Sequence, residues 1–138
     1  MRIGLITQLH GRPGGASPAP SWESISERAA AAESAGFDMF VFEDALLYRG
    51  ETATDGAWES VSIAAAIAAT TTDIGLGQSV LNSPYRSPAM TAKIADTIDE
   101  ISGGRFVLGI GAGNTADADY EAFGFATCLL YTSPSPRD

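Results

Sequence analysis

Four short apolar runs punctuate the chain, at residues 2–7, 38–43, 73–79 and 105–110. The first, Ile3-Gly4-Leu5-Ile6-Thr7, suits a buried strand. The runs start 36, 35 and 32 residues apart, close to the ~30 residues of a strand–helix–strand unit. The segments between them carry helical signals, so the predicted order is β-α-β-α-β-α-β. That alternation implies a parallel sheet covered by helices.

The first helix follows Pro18-Ala19-Pro20, with Ser21 as its cap and Glu23 where a carboxylate suits the helix dipole. Trp22, Ile25, Ala29 and Ala32 recur at helical spacing and predict one apolar stripe. Gly36 ends that helix. The second helix is expected over about 58–70 and is rich in alanine, so it can lie close to a sheet. The third opens at Ser87-Pro88, a cap followed by a proline at the first helical position. Ile94, Ile98 and Ile101 predict its buried face, Lys93, Asp96, Asp99 and Glu100 its wet face, and Gly103-Gly104 its end. Two architectures fit: an open doubly wound sheet, or part of an eight-stranded (β/α) barrel, which needs about 250 residues when complete. Periodicity does not separate them.

Length and composition narrow the function classes. A chain of 138 residues supports one domain at most. Its 8 Lys+Arg against 17 Asp+Glu give a formal charge of −9, which argues against a nucleic-acid backbone or an anionic membrane as the main partner. With 45 % hydrophobic and 18 % charged residues, the composition is globular. No run approaches the ~18 apolar residues of a membrane span, and residues 1–20 lack a signal-peptide pattern, so a cytoplasmic protein is expected. The single cysteine excludes an intramolecular disulfide framework. No His/Cys cluster suggests a metal site.

Residues 128–138 have no helical or strand period and read Cys-Leu-Leu-Tyr-Thr-Ser-Pro-Ser-Pro-Arg-Asp. They resemble the translation of a transposase-type sequencing adapter, and we expect them to be a non-native tail rather than the alternative, a real Ser/Pro-rich tail. Setting them aside removes the cysteine and leaves the charge at −9, because Arg137 and Asp138 go together. Residues 1–127 are then the native part, and the gene is expected to continue beyond them.

Three segments resemble the bacterial-luciferase-like family of flavin-dependent oxidoreductases. The first is Ala32-Glu33-Ser34-Ala35-Gly36-Phe37-Asp38, leading into Val41-Phe42-Glu43-Asp44. The second runs from Asp73-Ile74-Gly75-Leu76-Gly77-Gln78-Ser79-Val80-Leu81-Asn82 to Pro84-Tyr85-Arg86-Ser87-Pro88. The third runs from Thr97-Ile98-Asp99-Glu100-Ile101-Ser102-Gly103-Gly104-Arg105-Phe106 to Val107-Leu108-Gly109-Ile110-Gly111-Ala112-Gly113. The resemblance implies an α/β fold, a (β/α)8 TIM barrel, here truncated to roughly its first four βα units. It implies FMN, or alternatively 8-hydroxy-5-deazaflavin, bound at the C-terminal ends of the strands. The expected activity is a monooxygenase or oxidoreductase using reduced FMN and O2 on a small-molecule substrate, the FMN being supplied by a separate flavin reductase. The alternatives are deazaflavin-dependent hydride transfer, or a flavin-binding protein without turnover. The full-length protein is expected to be a homodimer, and the truncated chain by itself to be inactive.

The site candidates follow from the same segments. Glu43 and Asp44 end the second strand, where barrel enzymes place catalytic groups. Many relatives carry an acidic residue followed by His there, and this chain has Asp44 in the His position. Adjacent strand residues point to opposite faces, so at most one of the pair is expected to face the pocket; the alternative is a pair of carboxylates that cap or pair with an Arg on a loop. The resemblance implies a non-prolyl cis peptide at Ser79-Val80, forming a bulge behind the flavin ring, and makes Asn82 a hydrogen-bonding candidate. Gly111 and Gly113, with Gly109, are expected to bring backbone close to a planar ring, the alternative being tight barrel packing. Asn114 stands where deazaflavin-using relatives often carry Glu. Thr7 and Gln8 are expected on the pocket floor. His10 reads as a solvated loop residue or as part of the substrate entrance, Trp22 and Trp58 as packing residues, and Arg49, Arg86 and Arg105 as too scattered for a phosphate clamp.

Overall fold

The apolar runs become strands, each shorter than its run. A computed structural model describes residues 1–11, 17–49, 54–113 and 118–125. In chain order the elements begin with β1 (Gly4–Thr7), α1 (Trp22–Ser34), β2 (Met39–Phe42), β3 (Leu47–Arg49), β4 (Thr54–Gly56) and α2 (Ser60–Thr70). They continue with β5 (Gly75–Gln78), β6 (Leu81–Asn82), a 3-10 turn (Ser83–Tyr85), α3 (Pro88–Ser102), β7 (Phe106–Val107), β8 (Ile110–Gly111) and α4 (Ala118–Phe123). A four-stranded parallel sheet has the order β1-β2-β5-β7. The antiparallel pair β3–β4 had no sequence signal, because Leu47-Tyr48-Arg49 and Thr54-Asp55-Gly56 show no alternation. The fourth run splits in two: β7 pairs with β5, and β8 pairs with β6 in a separate ribbon.

Strand alternation sorts the sheet into two faces. Leu5, Phe40, Leu76 and Phe106 share one register row and pack under the helices with Ile25, Ala29, Ala32, Ala64, Ile67, Ala68 and Ile98. The next row, Ile6, Val41, Gly77 and Val107, lies on the other face, where Ile6 is 62 % and Val107 54 % exposed. The predicted caps hold. Ser21 Oγ accepts from the Ser24 N–H at 3.2 Å and Ser87 Oγ from the Met90 N–H at 3.3 Å, and Gly36 ends α1 at φ 78°. The cap of α2 is Glu59, which accepts from the Val61 and Ser62 N–H groups.

Three packing expectations are corrected. Trp22, at the first helical position, lies outside the buried stripe and is 43 % exposed. Trp58 is 49 % exposed and donates its indole N–H to the Pro20 carbonyl at 2.7 Å. On α3 the stripe continues from Ile98 by four residues to buried Ser102, which leaves Ile101 exposed.

Two charged side chains tie the helix ends to the sheet. The Arg105 guanidinium donates to the Ser102, Ile74, Ala68 and Thr71 carbonyls and to the Thr71 hydroxyl, filling acceptors that helix ends leave open. Glu33 Oε1 accepts from the N–H groups of Thr72, Asp73 and Ile74 at 2.9, 2.7 and 3.0 Å. The Ile74 and Asp73 N–H groups hold this carboxyl below its ordinary range, against a small opposing effect of burial. Its stabilisation is therefore present above the unfolded carboxyl pKa of ~4.3 and is lost as pH falls through the lowered folded value. Glu33→Ala should cost on the order of 1 kcal/mol at neutral pH. The gap between parent and variant urea midpoints should close in acid; a gap independent of pH would refute this account. No helix of the described residues is long and apolar enough to cross a membrane.

Candidate functional site

A cavity of about 360 Å³ opens at the C-terminal ends of the strands, within the ~300–1,000 Å³ common for small-molecule sites. Glu43, Asp44 and Ala45 line it from the end of β2, Val80 and Asn82 from beyond β5, and Gly111, Ala112 and Gly113 from β8 onward. Six of the predicted site residues thus meet in one place: Glu43, Asp44, Val80, Asn82, Gly111 and Gly113. The Ser79-Val80 peptide bond is cis, as the resemblance implied.

The glycines let the chain pack closely on itself, the alternative to approach by a ring. A Cβ on Gly111 would lie 2.5 Å from Val80 Cγ2, and one on Gly109 would strike the Gln78 carbonyl oxygen. The close approach is therefore between β8 and the chain around Val80, which only a residue without a side chain permits. Gly113 has φ 84°, and a Cβ there would meet Tyr120 Oη and Asn82 Oδ1. The result is a cavity wall of backbone and small side chains.

Both carboxylates of the Glu43-Asp44 pair touch the cavity. The strand ends at Phe42, so its alternation no longer separates them. Their environments differ. The Asp44 side chain is fully buried. It accepts from the Ser60 hydroxyl at 2.7 Å, the Asn82 N–H at 2.8 Å and both terminal nitrogens of Arg86 at 2.6 and 3.1 Å. Arg86 also donates to Glu59 Oε1 at 2.5 Å. Burial opposes the charge on Arg86, but Asp44 first and then Glu59 outweigh it and hold the guanidinium above its ordinary pKa. Burial likewise opposes the charge on Glu59, yet hydrogen bonds from Ser62, Arg86 and Val61 keep its carboxyl below the usual range. With its acceptor sites filled, Asp44 joins β2 to the segment that carries Asn82. Asn82 Oδ1 in turn accepts from the Tyr120 hydroxyl at 3.2 Å.

Glu43 faces His10. The imidazole is buried rather than solvated: its side chain is 4 % exposed and stacks on Tyr48 at 4.2 Å. Its Nε2 lies 3.6 Å from Glu43 Oε1, and neither atom has a hydrogen-bond partner among the described residues. Leu9-His10-Gly11 carries no periodic signal; a backbone bridge from His10 to Ala57 folds this loop back onto the chain.

The remaining candidates fall elsewhere. Thr7 points toward α1, not into the cavity, because it shares the helix-side face with Leu5; its hydroxyl accepts from Arg28 at 2.8 Å. Gln8 borders a second cavity with His10 and Arg28. The Ser79 N–H donates to the Phe42 carbonyl at 2.7 Å, which anchors the cis bond next to the cavity. Asn114 and the tail at 128–138 lie outside the described residues. Sequence reasoning missed Asp119, which accepts from the Leu46 and Leu47 N–H groups at 2.9 Å each and from the Tyr85 hydroxyl, bracing the wall beside Ala45. Among the described residues no group of three or more His, Cys, Asp or Glu is placed to hold a metal ion.

The family model for luciferase-like monooxygenases matches residues 1–127. The 5,10-methylenetetrahydromethanopterin reductase of Archaeoglobus fulgidus is 56 % identical over 48 residues, 35 % of this chain and 14 % of that protein. The 4-hydroxyprotoasukamycin monooxygenase of Streptomyces nodosus subsp. asukaensis is 40 % identical over 81 residues, 56 % of this chain and 21 % of that one. Among solved structures, one similar chain is the oxygenating constituent of 3,6-diketocamphane monooxygenase from the CAM plasmid of Pseudomonas putida, a type II Baeyer–Villiger monooxygenase in complex with FMN. It has a TM-score of 0.70 at 27 % identity, over 88 % of this chain and 32 % of that one. The coenzyme F420-dependent tetrahydromethanopterin reductase of Methanopyrus kandleri has a TM-score of 0.67 at 24 % identity, over 89 % of this chain and 30 % of that one, a likeness of fold. The chain spans a third or less of the length of these proteins.

Proposed function

The chain belongs to the luciferase-like monooxygenase family of flavin- or F420-dependent oxidoreductases, and from that premise we propose that its cavity holds the ring of reduced FMN beside O2 and a small organic substrate. Its fold is that of a TIM barrel, present here as four parallel strands and the helices between them. On this reading it is the N-terminal part of a longer enzyme that works as a homodimer and receives reduced FMN from a separate reductase.

The observation that carries the reading is the meeting of Val80, Asn82, Gly111 and Gly113 with Glu43 on one cavity at the strand ends, the end at which barrel enzymes do chemistry. These residues fit a flat heteroaromatic ring. Val80, 49 % exposed, offers an apolar surface, Gly111 and Gly113 project no side chains, and Asn82 supplies an amide. When bound, reduced flavin supplies two electrons for the reduction of O2. The chain's own residues position and exclude. Asp44 and Arg86 lock Asn82 in place, the apolar wall keeps water out, and Glu43 is the ionisable group at the cavity edge.

The archaeal reductases, one of them named as F420-dependent, favour a second reading, hydride transfer with the deazaflavin F420. Titrating the complete product of the source gene with reduced FMN and with F420 distinguishes the two. Reduced FMN should bind at least about tenfold more tightly, and O2 uptake should follow substrate. F420 binding with no O2 uptake would replace the first reading by the second, and flavin binding without either reaction would leave a binding protein.

A further inference from the structure

The His10–Glu43 contact lies beside the cavity, and Asp44 cannot serve in place of the family's histidine, because Ser60, Asn82 and Arg86 occupy its oxygens. His10 Nδ1 lies 2.5 Å from the Gly11 carbonyl oxygen. A carbonyl only accepts, so the Nδ1 proton is held there. Nε2 therefore meets Glu43 Oε1, 3.6 Å away, either as a bare lone pair or as a second N–H. Two bare acceptors facing each other in a buried site repel, and one proton between them removes the repulsion. Glu43 also borders the cavity, its side chain 35 % exposed. His10 borders a second cavity of about 660 Å³.

We infer that His10 and Glu43 form a one-proton pair in which Glu43 exchanges a proton with the reacting molecule and His10, acting through it, sets the position and charge of that carboxyl. This deepens the oxidoreductase reading and rests on it for the reaction concerned. In the balanced step, the proton passes from His10 Nε2 to Glu43 and from Glu43 to a basic atom in the cavity, leaving a neutral imidazole and a carboxylate. The reverse step takes a proton from the substrate. Among the described residues the Tyr48 ring stacks on the imidazole, and Arg28, bound to the Thr7 hydroxyl, lines the same second cavity. Asp44, one residue along, is neutralised by Arg86. His10 is thus a positioning residue and Glu43 the group that meets substrate.

The test uses the complete gene product. His10→Gln and Glu43→Gln should each lower kcat by at least about tenfold with FMN affinity changed less than twofold. The double variant should be no worse than the poorer single, since the two residues act as a unit. His10→Gln should also remove one limb of the pH–rate profile. Independently of turnover, the imidazole nitrogen NMR signals assigned to His10 by their loss in His10→Gln should titrate differently in Glu43→Gln. Additive losses, or His10 signals unmoved by Glu43→Gln, would overturn the pairing even if the enzyme proves active. Absence of any flavin reaction in the parent would overturn the functional reading, while the NMR titration still decides the pair.

Discussion

Arg86→Met should lower the unfolding free energy of the complete protein by about 3–5 kcal/mol, the cost of breaking a buried ion pair from one side. The substitution leaves the Asp44 carboxylate with no exposure and without its cationic partner. Two neutral donors remain, the Ser60 hydroxyl and the Asn82 N–H. Adding Asp44→Asn removes the stranded charge, so the double variant should recover much of the loss. A urea-midpoint cycle over the four proteins measures the coupling. The same cycle separates two roles for Asp44. If it braces the site, activity in the double variant returns along with stability. If it handles a proton on the substrate, activity stays low however stable the double variant is. The geometry supports the brace. A loss below about 1 kcal/mol in Arg86→Met would mean that the pair contributes little.

This network also shows why the site was only partly legible in the sequence. Glu43, Asp44, Val80, Asn82, Gly111 and Gly113 were found because they sit at strand ends in motifs with recognisable order. What they do was set by partners far along the chain. A loop arginine was a foreseeable partner for the carboxylate, but Arg86 is 42 residues from Asp44, and nothing in the local pattern picks it out from Arg49 or Arg105. The His10–Glu43 contact has the same character, a loop residue folded back onto a strand end. The fold was more legible, because strand runs, helix caps and the glycine after α1 are local signals. Its misses were short pieces whose conformation is decided by neighbours. One is the β3–β4 pair, and another is the break between β7 and β8, which matches the break between β5 and β6. Exposed Trp22 and Ile101 mark the limit of helical periodicity, which gives a face and not how far the sheet beneath it extends.

Expressed by itself, the 138-residue chain should self-associate rather than run as a 14.3 kDa monomer, and it should bind FMN poorly. Among the described residues β1 and β7 end the parallel sheet, so each presents backbone donors and acceptors along one side, a template for pairing with another chain. Across the sheet, Ile6 and Val107 stand 62 % and 54 % exposed in one register row with Val41 and Gly77. Burying an isoleucine or valine side chain is worth about 1.5–3 kcal/mol, so both edges and face favour contact. Analytical ultracentrifugation reads the result, and a soluble monomer with tight FMN binding would refute it. Ile6→Lys with Val107→Lys sharpens the test by giving opposite signs in two settings. On the isolated chain the lysines should oppose association and shift it toward monomer. In a closed barrel the face opposite the helices is the packed interior, where two unpaired charges should prevent folding. A double variant that is harmless in the complete protein would mean that this face is not the inside of a barrel, whatever the topology of the four strands suggests.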